Sequence, residues 1–175
     1  MSTIPKIIRL YHFTRRDYLA SILENGLDKG DVPLSADTGV NGISLTEIPD
    51  PGAQRWNSFI TEKLKYRLTV ELQPDPLLMR WKYVPERLRM EKTWWRRLND
   101  MGRGEPYKWW VYFASIPPEK IMEIWDCTQR RSLSKEEMDI LRTEPRIRGQ
   151  VPVRVKLIPF QEALRISKSL SQLSS

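Results

Sequence analysis

Residues 7–27 read IIRLYHFTRRDYLASILENGL, and the change of pattern at Thr14 decides the fold class. Ile7 to Phe13 is β-branched and aromatic, the composition of a strand entering a core. Beyond Thr14, the apolar residues Tyr18, Leu19, Ile22 and Leu23 recur at helical spacing. Thr14 with Asp17 three residues on predicts an N-terminal cap. Asn25-Gly26 predicts the stop, because glycine tolerates the left-handed turn that follows a helix. The expected unit is strand, cap, helix and glycine stop.

Working outward, Asp28 to Gly42 is rich in Gly, Asp, Pro and Ser without periodicity and reads as a long loop of the functional kind. Ile43–Thr46 reads as a short strand closed by Pro49-Asp50-Pro51-Gly52, and Tyr66–Leu72 as a strand stopped at Pro74. Pro85 to Asp100 has helical composition. Trp109–Ala114 and Ile121–Trp125 read as strands. Ser134 with Glu137 predicts a capping box for a helix to about Arg142. Val151–Leu157 is expected as a last strand and Phe160–Ile166 as a short helix. Strands outnumber helices without regular alternation, so the expected class is α+β rather than a doubly wound parallel sheet. The 175 residues suit one domain, placed at residues 1–166, with a flexible serine-rich tail at 167–175.

The formal net charge of +7 and a pI near 9.6 favour polyanionic partners. A single cysteine, Cys127, excludes a disulfide scaffold and suits a reducing compartment. Residues 1–9 lack the features of a signal peptide, and no apolar run approaches a membrane span. A cytoplasmic protein with no membrane association is expected. His12 is the sole histidine, so zinc chemistry is not expected, and no metal is assigned. Walker, GxGxxG and GxSxG patterns are lacking.

Three segments in order carry a family likeness: Tyr11-His12-Phe13-Thr14, then Leu19 to Leu27, then Gly39-Val40-Asn41-Gly42-Ile43-Ser44-Leu45-Thr46. They resemble the first half of an ADP-ribosyltransferase domain, the group with the diphtheria-toxin and poly-ADP-ribose polymerase type of fold. The likeness covers roughly residues 7–50, with a weaker echo at Lys108–Ile121. It implies a divergent member, with a compact split β-sheet, flanking helices and NAD as substrate. By that resemblance His12 bonds the ribose 2′-hydroxyl, while Phe13 and Thr14 contact the sugar or the nicotinamide amide. Gly42, Ser44 and Thr46 belong to the strand beside it. Ser44 stands where many relatives carry a stacking tyrosine, so Ser44 and Thr46 are either hydrogen-bonding scaffold or solvent-facing strand residues. Trp56 or Phe59 supplies the aromatic wall, or else packs in the core. The family's catalytic Glu aligns with Lys108. Glu105 is the substitute if its loop turns inward, and Glu71 is the more distant candidate.

Arg80 to Lys108 carries nine basic residues among them Arg96 and Arg97, interleaved with Trp81, Trp94 and Trp95. Such a stretch suits nucleic acid or a pyrophosphate, or is a core with snorkelling arginines. The resulting expectation is an NAD-dependent ADP-ribosyltransferase with His12 and Glu105 catalytic and a protein or nucleic acid as acceptor, of the toxin or phage-effector kind. Two alternatives stand beside it: a catalytically silent module binding ADP-ribose or nucleic acid, and an RNA 2′-phosphotransferase-like enzyme.

Overall fold

The computed structural model describes residues 6–54, 61–103, 105–146 and 156–173. In chain order the elements are β1 (Ile8–Thr14), α1 (Arg16–Asn25), β2 (Asp31–Pro33), β3 (Thr38–Asn41), β4 (Ile43–Thr46), β5 (Tyr66–Leu72), β6 (Leu78–Arg80), α2 (Val84–Leu88), α3 (Lys92–Gly102), β7 (Trp109–Tyr112), β8 (Ile121–Asp126), β9 (Arg131–Ser132), α4 (Lys135–Thr143), β10 (Lys156–Ile158) and α5 (Phe160–Leu173). A seven-stranded antiparallel sheet runs β6-β7-β4-β1-β5-β8-β9, and a small sheet runs β10-β3-β2. The α+β expectation therefore holds. Among the described residues no helix is long and apolar enough to cross a membrane.

Strand alternation divides the apolar residues between two cores. Leu10 of β1, Leu68 and Val70 of β5 and Ile124 of β8 share one face through the registers Leu10↔Val70 and Leu68↔Ile124. They pack on Leu19 and Ile22 of α1 and Leu141 of α4. Each such fully buried side chain contributes about 1.5–3 kcal/mol of transfer free energy. The second core joins Val111 of β7 to Val32 and Val40 of the small sheet, Val84 and Leu88 of α2, and Phe160 of α5. Phe113 and Phe160 stack there with centroids 4.2 Å apart.

Several local expectations are corrected. Thr14 does not cap α1: it ends β1, paired with Tyr66 and buried, and Arg15 takes the N-cap position without a capping side-chain bond. The helix begins at Arg16, so the capping position falls on Arg15 and Thr14 stands one residue before it. Residues 28–42 are not one loop but hold the β2–β3 hairpin, whose base is tied by Asn41, accepting from Gly30 N–H and donating to the Asp28 carbonyl. Residues 85–100 are not one helix either. Arg89 takes a left-handed conformation (φ 51°), which ends α2 before α3 begins.

The serine-rich end is helical through Leu173 rather than frayed from Ser167, because the buried Ser167 hydroxyl donates to the Arg87 carbonyl and pins α5 to α2. Of the strand expected at 151–157, residues 151–155 lie outside the described residues, and β10 covers Lys156–Ile158. The glycine stop at Gly26 (φ 73°) and the Ser134–Glu137 capping box are both present.

Candidate functional site

β1 pairs with β5 along its whole length but with β4 at a single register, Tyr11↔Thr46. Where that ladder ends, the His12 ring takes its place, with Nδ1 2.9 Å from the Ser44 carbonyl oxygen. A carbonyl has no proton to give, so Nδ1–H donates and Nε2 is left as a lone-pair acceptor. Burial, joined by the charge of Lys63, pushes the ring below the ordinary histidine pKa, and the Ser44 bond only partly opposes this. The imidazole is therefore neutral at neutral pH, with one nitrogen anchored and the other available.

This has a consequence for stability. The folded ring holds its proton less tightly than the unfolded one, so as pH falls through about 6.5 the unfolded chain takes up that proton first. The contribution from His12 is full above that pH and is lost as pH falls toward the lower, folded pKa. Between about pH 7 and about pH 5 the urea midpoint should fall further in the wild type than in His12→Asn, which keeps a donor for Ser44 but does not titrate. Equal declines in the two proteins would contradict a half-buried neutral ring with a lowered pKa.

His12 lines a cleft of about 190 Å³, together with Phe13, Ser44 and Thr46 from the two strands, Asp31 from β2, and Trp81, Leu98, Trp109 and Trp110. An apolar cavity of about 150 Å³ takes a benzene ring, so this one holds a single substituted heteroaromatic ring and leaves the rest of a larger ligand outside. Trp81 and Trp109 meet edge to face with centroids 6.0 Å apart. Trp81 is fixed by its indole N–H, which donates to Asn99 Oδ1 at 2.8 Å. The Trp109 indole N–H is buried without an acceptor among the described residues. An orphaned buried donor costs about 1–3 kcal/mol.

The structure brings His12, Phe13, Ser44 and Thr46 together. It does not bring Thr14, Gly42 or Glu105 to the cleft lining. Thr14 is sealed in the strand. Gly42 is a packing glycine: a Cβ there would lie 2.8 Å from Val111 and 3.0 Å from Phe113. Glu105 sits at the head of the short turn Pro106–Lys108, before β7. Glu71 pairs with Arg9 at 2.7 Å. Trp56 and Phe59 lie outside the described residues.

No family model, curated protein or solved structure matches this chain. What the cleft does must therefore be read from its own chemistry.

Lys108, at the position aligned with a catalytic glutamate, is engaged elsewhere: its Nζ lies 3.2 Å from Glu47 Oε2. Glu47 also accepts from the Trp110 indole at 2.9 Å and pairs with Arg80, which lies over the Trp110 ring. Burial pushes the Glu47 carboxyl up, but the bonds from Trp110 and Lys108 and the charge of Arg80 bring it below the ordinary glutamate value. This network holds Trp110 in the cleft wall.

Among the described residues lining the cleft the one carboxylate is Asp31, an exposed residue whose desolvation raises its pKa above the ordinary aspartate value, with the charge of Lys63 only partly opposing this. Sequence reading passed over Asp31 because it lay within a stretch without periodicity. It passed over Trp81 and Trp109 because tryptophans at that density read equally well as core. Cys127 is no nucleophile at neutral pH, since burial pushes its thiol up to about 11.

Proposed function

We propose that the cleft binds the nicotinamide riboside half of NAD, and that the protein is an ADP-ribosyltransferase acting on a macromolecular acceptor. The observation that carries this reading is the His12 ring, held by the Ser44 carbonyl so that Nε2 accepts a hydrogen bond, as a ribose hydroxyl requires. The apolar indole surface that Trp81, Trp109 and Trp110 give the cleft suits a pyridine ring. The order of His12, the Gly26-Leu27 helix end and the Ile43–Thr46 strand supports the same assignment, and with it an ADP-ribosyltransferase-like fold.

In the reaction the bond between ribose C1′ and the pyridinium nitrogen breaks, and its electron pair stays on nicotinamide, which leaves neutral. Positive charge develops on the ribose ring until an acceptor nucleophile attacks C1′ and gives up its proton. Ionised Asp31 is the cleft-lining group whose charge favours that state, in place of Glu105. On this account Asp31→Asn keeps NAD affinity within a few-fold and loses about a hundredfold or more in nicotinamide release.

One observation favours a second reading, a silent module that binds NAD or ADP-ribose without chemistry: the aligned position is Lys108, locked to Glu47. NAD binding by the wild-type protein without nicotinamide release would select that reading. A wild-type protein that neither binds NAD nor releases nicotinamide would overturn both.

A further inference from the structure

α3 has two unlike sides. Trp94 and Leu98 pack toward the second core, and Leu98 also lines the cleft. The other side carries Lys92, Arg96 and, at the helix end, Arg103, with Arg97 at its edge over the Trp94 ring, and together they form one wall of a groove of about 900 Å³. The facing wall is Pro51, Gly52 and Leu64, which are small or apolar, with the neutral amide of Gln54. Asp100 is the one acid among the described residues lining this groove. None of the four cations makes an ion pair among the described residues. Like charges four apart on a helix repel, so the arrangement disfavours the isolated helix and suits an anion laid along it.

The groove and the cleft share structure. α3 walls both, and Leu64 in the groove adjoins Lys63, whose charge acts on His12 and Asp31.

We propose that the groove between α3 and the Pro51–Gly52 turn binds single-stranded nucleic acid through its phosphates. The spacing fits a strand. Lys92 and Arg96 stand about 6 Å apart along the helix axis, close to the phosphate-to-phosphate step of an extended chain, and Arg103 continues the line. The opposite wall offers apolar surface to sugars and bases. A duplex is a convex, stiff rod and meets only the rim of a concave groove. Binding here stands apart from the cleft chemistry; only the further role of such a strand as ADP-ribose acceptor rests on the reading proposed above.

The test uses the full chain without NAD. Binding of a fluorescein-labelled oligothymidylate and of the corresponding duplex is followed by anisotropy at several salt concentrations. Four phosphate contacts on a single strand give a slope of log K against log salt of about −2.8, or about a fiftyfold loss between 50 and 200 mM salt. Arg96→Gln with Arg97→Gln should halve that slope and cut the loss to about sevenfold. All four side chains are exposed, so folding is not at stake. Lys92→Gln with Arg103→Gln repeats the test with an independent pair.

Arg87→Gln with Lys168→Gln, in the separate groove between α2 and α5, should leave the slope unchanged. The proposal is overturned if both α3 pairs leave slope and affinity unchanged or if the α2–α5 pair carries the effect. Tighter binding of duplex or of poly-glutamate than of the single strand overturns it as well.

Discussion

Gly26→Ala is expected to cost the fold about 3–5 kcal/mol. Gly26 sits at φ 73°, where a side chain is strained, at about 1–3 kcal/mol. An added Cβ would also stand 2.0 Å from the Ile116 carbonyl oxygen and 2.9 Å from Pro117 Cα, both of them backbone. The chain must therefore move. The movement breaks the two hydrogen bonds of the Leu27↔Ile116 bridge, each 2.8 Å long and each contributing about 1 kcal/mol.

Leu27 and Ile116 are themselves buried in the first core, at 4 % and 0 % exposure, so the disturbance reaches apolar packing. Against a domain stability of about 5–15 kcal/mol, the loss shows as a large drop in urea midpoint. Gly52→Ala is the control, since its nearest atoms are side-chain atoms of Asp50 at 3.3 Å or more and its φ is ordinary. A Gly26→Ala midpoint within about 1 kcal/mol of wild type would show that the helix end is not held by this contact.

A large functional effect is expected from His12→Asn. Asparagine reaches the position of Nδ1 and keeps a donor for the Ser44 carbonyl, so the strands stay tethered. It has nothing at the position of Nε2. If Nε2 is the acceptor that fixes the ribose, nicotinamide release falls about a hundredfold or more, because a reacting centre misplaced by about 1 Å loses that much. The stability of the variant at neutral pH stays close to wild type. His12→Ala removes both bonds and should lower stability and activity together. Wild-type release by His12→Asn would remove the imidazole from the mechanism.

Much of the fold was legible because its signals are local. The alternation in Tyr66–Leu72 is the strand β5 over the same residues, the Ser134–Glu137 capping box starts α4, and Gly26 ends α1. The β2–β3 hairpin was not legible. Its strands are three and four residues long, and what holds them is remote: Asn41 binding back to Asp28 and Gly30, and β10 pairing in parallel from the far end of the chain. The break between α2 and α3 was hidden for a similar reason, since Arg89 has no composition that announces a left-handed residue, and Glu91 is fixed by a bond to the distant Leu34 carbonyl.

At the cleft, the resemblance to ADP-ribosyltransferases named His12, Ser44 and Thr46, and the neighbouring strands β1 and β4 bring them into one lining. Asp31 was not named. It reaches the cleft only because the hairpin folds it there. The tryptophans were ambiguous in sequence, and in the structure Trp81 and Trp109 are both core and cleft wall.

The chain holds one histidine, so its two imidazole nitrogens can be followed by nitrogen NMR without overlap. The free protein at neutral pH should show a neutral ring protonated at Nδ1, with an unprotonated Nε2 signal that shifts on addition of NAD while Nδ1 stays bonded. A ring protonated at Nε2, a charged ring, or a spectrum indifferent to saturating NAD would contradict the account.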